Sequence, residues 1–93
     1  MNQIFKVVGK SAVTEVPSKK EAGAVLKKCV YHLQSLDGDE VLATAFDEKA
    51  TLQVAPGDVV AASLWLKVRE YDGNKYQDCT VGRMAVLQSK LQF

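Results

Sequence analysis

The chain has one histidine, one tryptophan, two prolines and two cysteines among its 93 residues. With His32 alone, a metal site would need cysteine and carboxylate ligands at spacings not found here, and a serine or cysteine nucleophile would lack a second candidate base. Glycine-rich phosphate cradles of the GxGxxG or Walker type are missing. Adjacent carboxylates occur only in turn-like stretches, at Asp37, Asp39 and Glu40 and at Asp47 and Glu48, where they cap and solubilise. The expectation is a protein that is not an enzyme and takes no cofactor and no metal.

No apolar run approaches the roughly 20 residues that span a bilayer. The opening MNQIFKVVGK lacks the apolar core and small-residue cleavage site of a signal peptide, so a cytoplasmic protein is expected. Cys29 and Cys79 fall in no CxxC or Cys/His spacing and are expected as buried free thiols in a reducing compartment. Hydrophobic residues at 47% and charged ones at 25% are the proportions of an ordinary globular protein. The length suits one domain with one core.

The formal net charge of +1 is unevenly distributed. Residues 1–34 carry six Lys and two Glu, residues 35–58 one Lys and six acids, and residues 59–93 five basic and three acidic residues. An anionic partner is therefore expected on the two outer segments and away from the middle.

Alternation and turn chemistry predict β-strands. Ile4 to Val16 is β-branched and apolar, with Gly9 where a long strand bends. The stretch from Pro17 to Gly23 reads as a loop. In a second strand from about Val25 to Leu36, Cys29, Tyr31 and Leu33 share one face, and Lys28, Val30, His32 and Gln34 the other. Asp37-Gly38 turns into a third strand, Glu40 to Phe46. Asp47 caps a helix of little more than one turn through Leu52. After the Pro56-Gly57-Asp58 turn, Val59 to Arg69 forms a fourth strand with Val60, Ala62, Leu64, Leu66 and Val68 as its apolar set. Asp72-Gly73 then makes a tight connection to a fifth strand, Lys75 to Leu87, with Gly82 as a bulge. Residues 1–87 are read as one domain and 88–93 as a tail.

Five strands, a bent first one, a short or vestigial helix between strands 3 and 4 and a final hairpin make an all-β, five-stranded OB-fold Greek-key barrel. An SH3-like barrel or a small sandwich is the alternative. With the elements placed, the chain resembles the bacterial single-stranded DNA-binding protein family, and also small uncharacterised bacterial OB domains. The resemblance rests on Met1-Asn2 leading into an apolar strand, on Ala45-Phe46-Asp47-Glu48-Lys49-Ala50, on Pro56-Gly57-Asp58-Val59-Val60, and on Leu66 through Tyr76. It implies that Phe46 and Tyr71 stack on bases and that Lys67 and Arg69 follow the strand path. Glu40 and Asp47 depart from it, standing where the family has an aromatic and a glycine. The end of the chain lacks the family's linker and acidic tip, which suggests a minimal or accessory member.

The residues point the same way. Alternation groups Trp65, Lys67, Arg69 and Tyr71 on the outer face of the fourth strand, where rings stack on bases and cations track phosphates. Lys75 and Tyr76 extend this path into the hairpin. Lys27 and Lys28, with Lys19 and Lys20 in the loop, extend it across the second strand. Alternatives stay open: Trp65 packs against the N-terminal strand, the tail or a second subunit, and Phe46 and Tyr76 belong to the core. The function expected is largely sequence-independent binding of single-stranded DNA or RNA, in replication, repair or plasmid and mobile-element maintenance. The rival is an OB-fold protein-interaction module of a primosome-like assembly. Exposed strand edges and the resemblance together imply a homodimer or homotetramer.

Overall fold

The computed structural model describes residues 2–18, 20 and 22–88, so Lys19 and the tail from residue 89 onward lie outside the described residues. Six strands form one sheet: β1 (Asn2–Lys10), β2 (Thr14–Pro17), β3 (Val25–Ser35), β4 (Glu40–Phe46), β5 (Val59–Tyr71) and β6 (Asn74–Gln88). The strand order is β1-β5-β6-β4-β3-β2, and β1 also pairs with β3. The front of β1, from Asn2 to Lys6, lies against β5, while Phe5 to Lys10 lies against β3. One strand thus bridges two neighbours, and the sheet curls.

The predicted first strand is present as two pieces. Val7 faces Leu33 while Gly9 faces His32, so Val8 is the extra residue of a bulge beside the expected bend. At the break between β1 and β2, Ser11 keeps β3 paired: its amide donates to the Val30 carbonyl at 2.9 Å, and its hydroxyl accepts the Val30 amide at 2.8 Å.

The core follows from alternation. Phe5 and Val7 of β1, Cys29, Tyr31 and Leu33 of β3, Ala43 and Ala45 of β4, and Val60, Ala62 and Leu64 of β5 are buried, joined by Val81 and Ala50. Leu66 and Val68 correct the expectation for β5, being 50% and 63% exposed. Pairing with β1 ends at Ser63, so beyond it the β5–β6 hairpin pairs with no third strand on the β1 side among the described residues. It projects as an arm from a molecule measuring 47 × 31 × 19 Å.

The expected helix between the third and fourth predicted strands is absent, and no helix occurs among the described residues. Asp47 takes φ 55°, and the amides of Ala50 and Thr51 both donate to its carbonyl in an isolated turn. A helix of five residues cannot recover its nucleation cost alone. The segment is tied down by side chains instead. The buried Tyr31 hydroxyl donates to the Lys49 carbonyl at 2.5 Å, and Lys10 Nζ donates to the Leu52 carbonyl at 3.0 Å while lying 5.7 Å from the Tyr31 ring centre. The next turn is type II in character: Gly57 has φ 98°, and the Asp58 amide donates to the Ala55 carbonyl at 3.1 Å. The buried Asp58 carboxylate accepts the Ala55 amide at 2.9 Å, which closes the turn.

Both cysteines are free, as expected, but only Cys29 is fully buried; Cys79 is half-buried where the arm leaves the core. Burial pushes both thiols above their ordinary range, which keeps them protonated at neutral pH. Burial likewise raises the Tyr31 phenol, with Cys29 adding to the effect.

Two outcomes are expected. Tyr31→Phe leaves the Lys49 carbonyl without its donor and lowers stability by about 1–3 kcal/mol, read from urea unfolding. A bulky thiol reagent labels Cys79 in the native protein well before Cys29, which reacts only on unfolding; mass mapping of the labelled peptides distinguishes the two.

Candidate nucleic-acid interface

The outer faces of β3 and β4 are matched by register. Lys28 lies opposite Phe46, Val30 opposite Thr44, His32 opposite Leu42 and Gln34 opposite Glu40. Strand β4 meets β6 in a single parallel pair, Thr44 with Thr80, and Thr80 in turn lies opposite Trp65 of β5. A row of outer side chains thus runs Val30, Thr44, Thr80, Trp65 across four strands. Because β4 and β6 part on either side of their one pairing, the surface opens into a groove of about 490 Å³. Lys28, Leu42, Thr44 and Phe46 form one wall, and Trp65, Lys67, Asp78 and Thr80 the other.

Trp65 is 66% exposed on this outer face, so β1 does not cover it. Its seat is Gly82. Between Ser63 opposite Arg83 and Leu64 opposite Val81, Gly82 is the extra residue of the expected bulge. A Cβ there would stand 2.8 Å from both Cε2 and Nε1 of the indole. Gly82 does not have positive φ, so the ring, rather than the backbone, is what requires glycine.

The arm continues the track. The Asp72-Gly73 turn has φ 52° and 79°, both positive, as in the type I′ turns that suit a hairpin's twist. Its two-residue length sets Lys67 opposite Asp78, Arg69 opposite Tyr76 and Tyr71 opposite Asn74, on the same face as Trp65. Trp65 to Tyr71 covers about 20 Å at some 3.3 Å per residue. Arg69 Nε lies 2.6 Å from Asp78 Oδ2, and its guanidinium carbon lies 5.6 Å from the Tyr76 ring centre. Lys28 and Lys67 have no ion-pair partner among the described residues. Elsewhere on the outer face, His32 Nε2 lies 2.7 Å from Glu40 Oε1, so the unexpected acid on β4 is occupied by the lone histidine.

Of the expected site residues, Lys28, Phe46, Trp65 and Lys67 come together in the groove, and Arg69, Tyr71 and Tyr76 follow along the arm. Phe46 is half-buried and Tyr76 exposed, so neither belongs to the core. Lys27 and Lys75 fall elsewhere. Lys27 alternates onto the opposite side of β3 from Lys28 and lies opposite Glu15 of β2; Lys75 lies opposite Glu70 on the other face of the arm. Leu42, Thr44, Asp78 and Thr80 were not anticipated. Leu42 and Thr44 alternate with Phe46, and the two-residue turn already implies that Asp78 faces Lys67, so both signals are present in the chain.

Among the described residues no group of His, Cys, Asp and Glu could hold a metal ion, and no helix is long and apolar enough to cross a membrane. No protein-family model and no curated protein matches this chain. Among solved structures it is similar to the second OB-fold domain of replication protein A from Methanococcus maripaludis, known from solution NMR. The match covers 98% of this chain and 86% of that one, with a TM-score of 0.73 and 20% sequence identity. At that identity the likeness establishes the fold: this is an all-β chain of the OB type.

Gly82→Ala displaces the indole from its seat. The emission maximum of Trp65, the sole tryptophan, is expected to shift while the unfolding free energy changes by no more than about 0.5 kcal/mol. A spectrum identical to that of the unsubstituted protein would show that the ring does not rest there.

Proposed function

We propose that this chain binds single-stranded nucleic acid, single-stranded DNA foremost, with little sequence preference and without catalysis. The observation that carries the reading is Trp65, 66% exposed on a glycine seat, in a groove that Phe46, Lys28 and Lys67 also line, the two lysines having no ion pair among the described residues. Every base has a flat face, so rings in such a groove accept any sequence, at about 1–3 kcal/mol per stacked base. Lysines without carboxylate partners are available to replace counterions along the phosphates. OB folds bind oligonucleotides across the strands that correspond here to β3 and β4, between the loop before β3 and the β5–β6 hairpin, and the groove lies on that path.

The fold shared with a domain of an archaeal replication protein supports a role in DNA replication or repair, or in maintaining a mobile element, in the cytoplasm. The likeness to the bacterial single-stranded DNA-binding family belongs to this proposal. A second reading, contact with protein, is favoured by Leu66 and Val68, which leave apolar surface exposed on the arm's other face. That face suits a homodimer or homotetramer, or a larger assembly, and it leaves the groove open.

Titration with oligo(dT) at two salt concentrations tests the reading. Binding is expected to quench Trp65 emission, and log affinity to fall with log salt. Trp65→Ala weakens binding by roughly 1–3 kcal/mol with the salt slope nearly unchanged. Lys67→Ala flattens the slope by about 0.7 for the one phosphate it neutralises. If Trp65→Ala instead alters the oligomer's mass and leaves affinity per monomer intact, Trp65 is a subunit contact and the protein-contact reading prevails.

A further inference from the structure

Lys67 and Arg69 are equivalent by sequence, two cations on one strand face, yet their surroundings differ. Asp78 lies directly opposite Lys67, but its carboxylate turns to the diagonal neighbour, Arg69, at 2.6 Å. The Arg69 guanidinium also lies over its own cross-strand partner, Tyr76, at 5.6 Å from the ring centre. Lys67 is left without an ion pair among the described residues, whereas Arg69 has a carboxylate at 2.6 Å and the Tyr76 ring nearby.

A guanidinium differs from an ammonium in being planar, with donors around its rim and two flat faces. Here Asp78 takes a rim donor, and the guanidinium carbon lies 5.6 Å from the Tyr76 ring centre. The side chain is still 58% exposed, so the guanidinium remains open to solvent. The pair with Asp78 carries no net charge, and a phosphate approaching Arg69 meets the carboxylate as well. A nucleobase meets neither obstacle, since it lies flat on a guanidinium plane as it does on an aromatic ring.

On the reading that the groove binds single strands, we infer that Arg69 is the plate of a second base-stacking station, held by Asp78 and backed by Tyr76, and is not a phosphate contact. The station lies four residues along β5 from Trp65, about 13 Å at 3.3 Å per residue. The bound strand then has stacking contacts at both ends of its path, Trp65 in the groove and Arg69 on the arm, with Lys67 between them as the phosphate contact. Asp78 is a positioning residue that sets which of the two cations stacks and which neutralises.

The test compares oligo(dT) affinity and its salt slope in three full-length variants, all on the exposed arm. Arg69→Lys keeps the charge and removes the plane; it is expected to weaken binding on the order of tenfold with the slope unchanged, as one lost stacked base does. Arg69→Ala combined with Asp78→Ala removes both charges and should show the same loss and the same slope. Lys67→Ala alone should flatten the slope by about 0.7. The inference is overturned if Arg69→Lys binds within about twofold of the unsubstituted protein, or if the double variant flattens the slope as Lys67→Ala does. Either result leaves single-strand binding standing. If the unsubstituted protein fails to bind oligo(dT) even at low salt, the binding reading falls and the stacking station falls with it.

Discussion

The register of the β5–β6 hairpin is the constraint on which the site depends. It is set at the tip by Asp72-Gly73, whose two positive φ angles allow a two-residue turn, and is reset at the Gly82 bulge and again at the base of the hairpin, between Val59 and Val60. Side chains alternate with a period of two, so a slip of one residue would carry Trp65, Lys67 and Arg69 to the core side and expose Leu64. The core resists such a slip because Val60, Ala62 and Leu64 are buried against β1 and β6. Turn chemistry and burial therefore specify the same register from opposite ends of the hairpin, and the outer-face track results.

The groove exists because the curled sheet has a seam. β1 serves two neighbours and holds β5 to β3, whereas β4 and β6 share one backbone pairing, Thr44 with Thr80. Where strands part, outer side chains on both sides face a common space instead of a continuous flat sheet. The irregular chain from Asp47 to Asp58 is kept in place by Tyr31 and Lys10, which reach it from β3 and β1. Asp47 itself takes the left-handed conformation at the position where the resembled family has glycine, and its carboxylate accepts the Lys27 amide at 3.4 Å. A short polar side chain tolerates that backbone better than most. The departure from the family pattern is thus compatible with the same local turn.

Charge is arranged more finely than segment totals suggest. The middle segment, with six acids and one lysine, contributes Leu42, Thr44 and Phe46 to the groove wall, all of them uncharged. Its acids stand at the β3–β4 turn, after β4, in the buried Asp58 turn, or against His32. On the arm one acid does face the track, and it is committed to Arg69. The groove cations with no ion pair among the described residues are Lys28 and Lys67, one from each basic outer segment.

Alternation, turn dipeptides and glycine positions in the sequence were enough to determine the strands from β3 onward, the bend in β1, the Gly82 bulge, the hairpin, the OB arrangement and the common face of Trp65, Lys67, Arg69 and Tyr71. These features are local: each follows from a period of two or from a residue able to take a given backbone angle. The sequence was misleading at Leu66 and Val68, since alternation states which face a side chain takes but not whether anything lies against it. It was misleading also at residues 48–52, where a capping signal lost to contacts from Tyr31 and Lys10, distant in the chain. Only the tertiary structure decided that β4 and β6 meet at a single pair, that Lys27 and Lys75 leave the track, and that Asp78 takes Arg69 and spares Lys67. Those outcomes depend on which strands become neighbours and where they diverge, and that is set by the packing of the whole core.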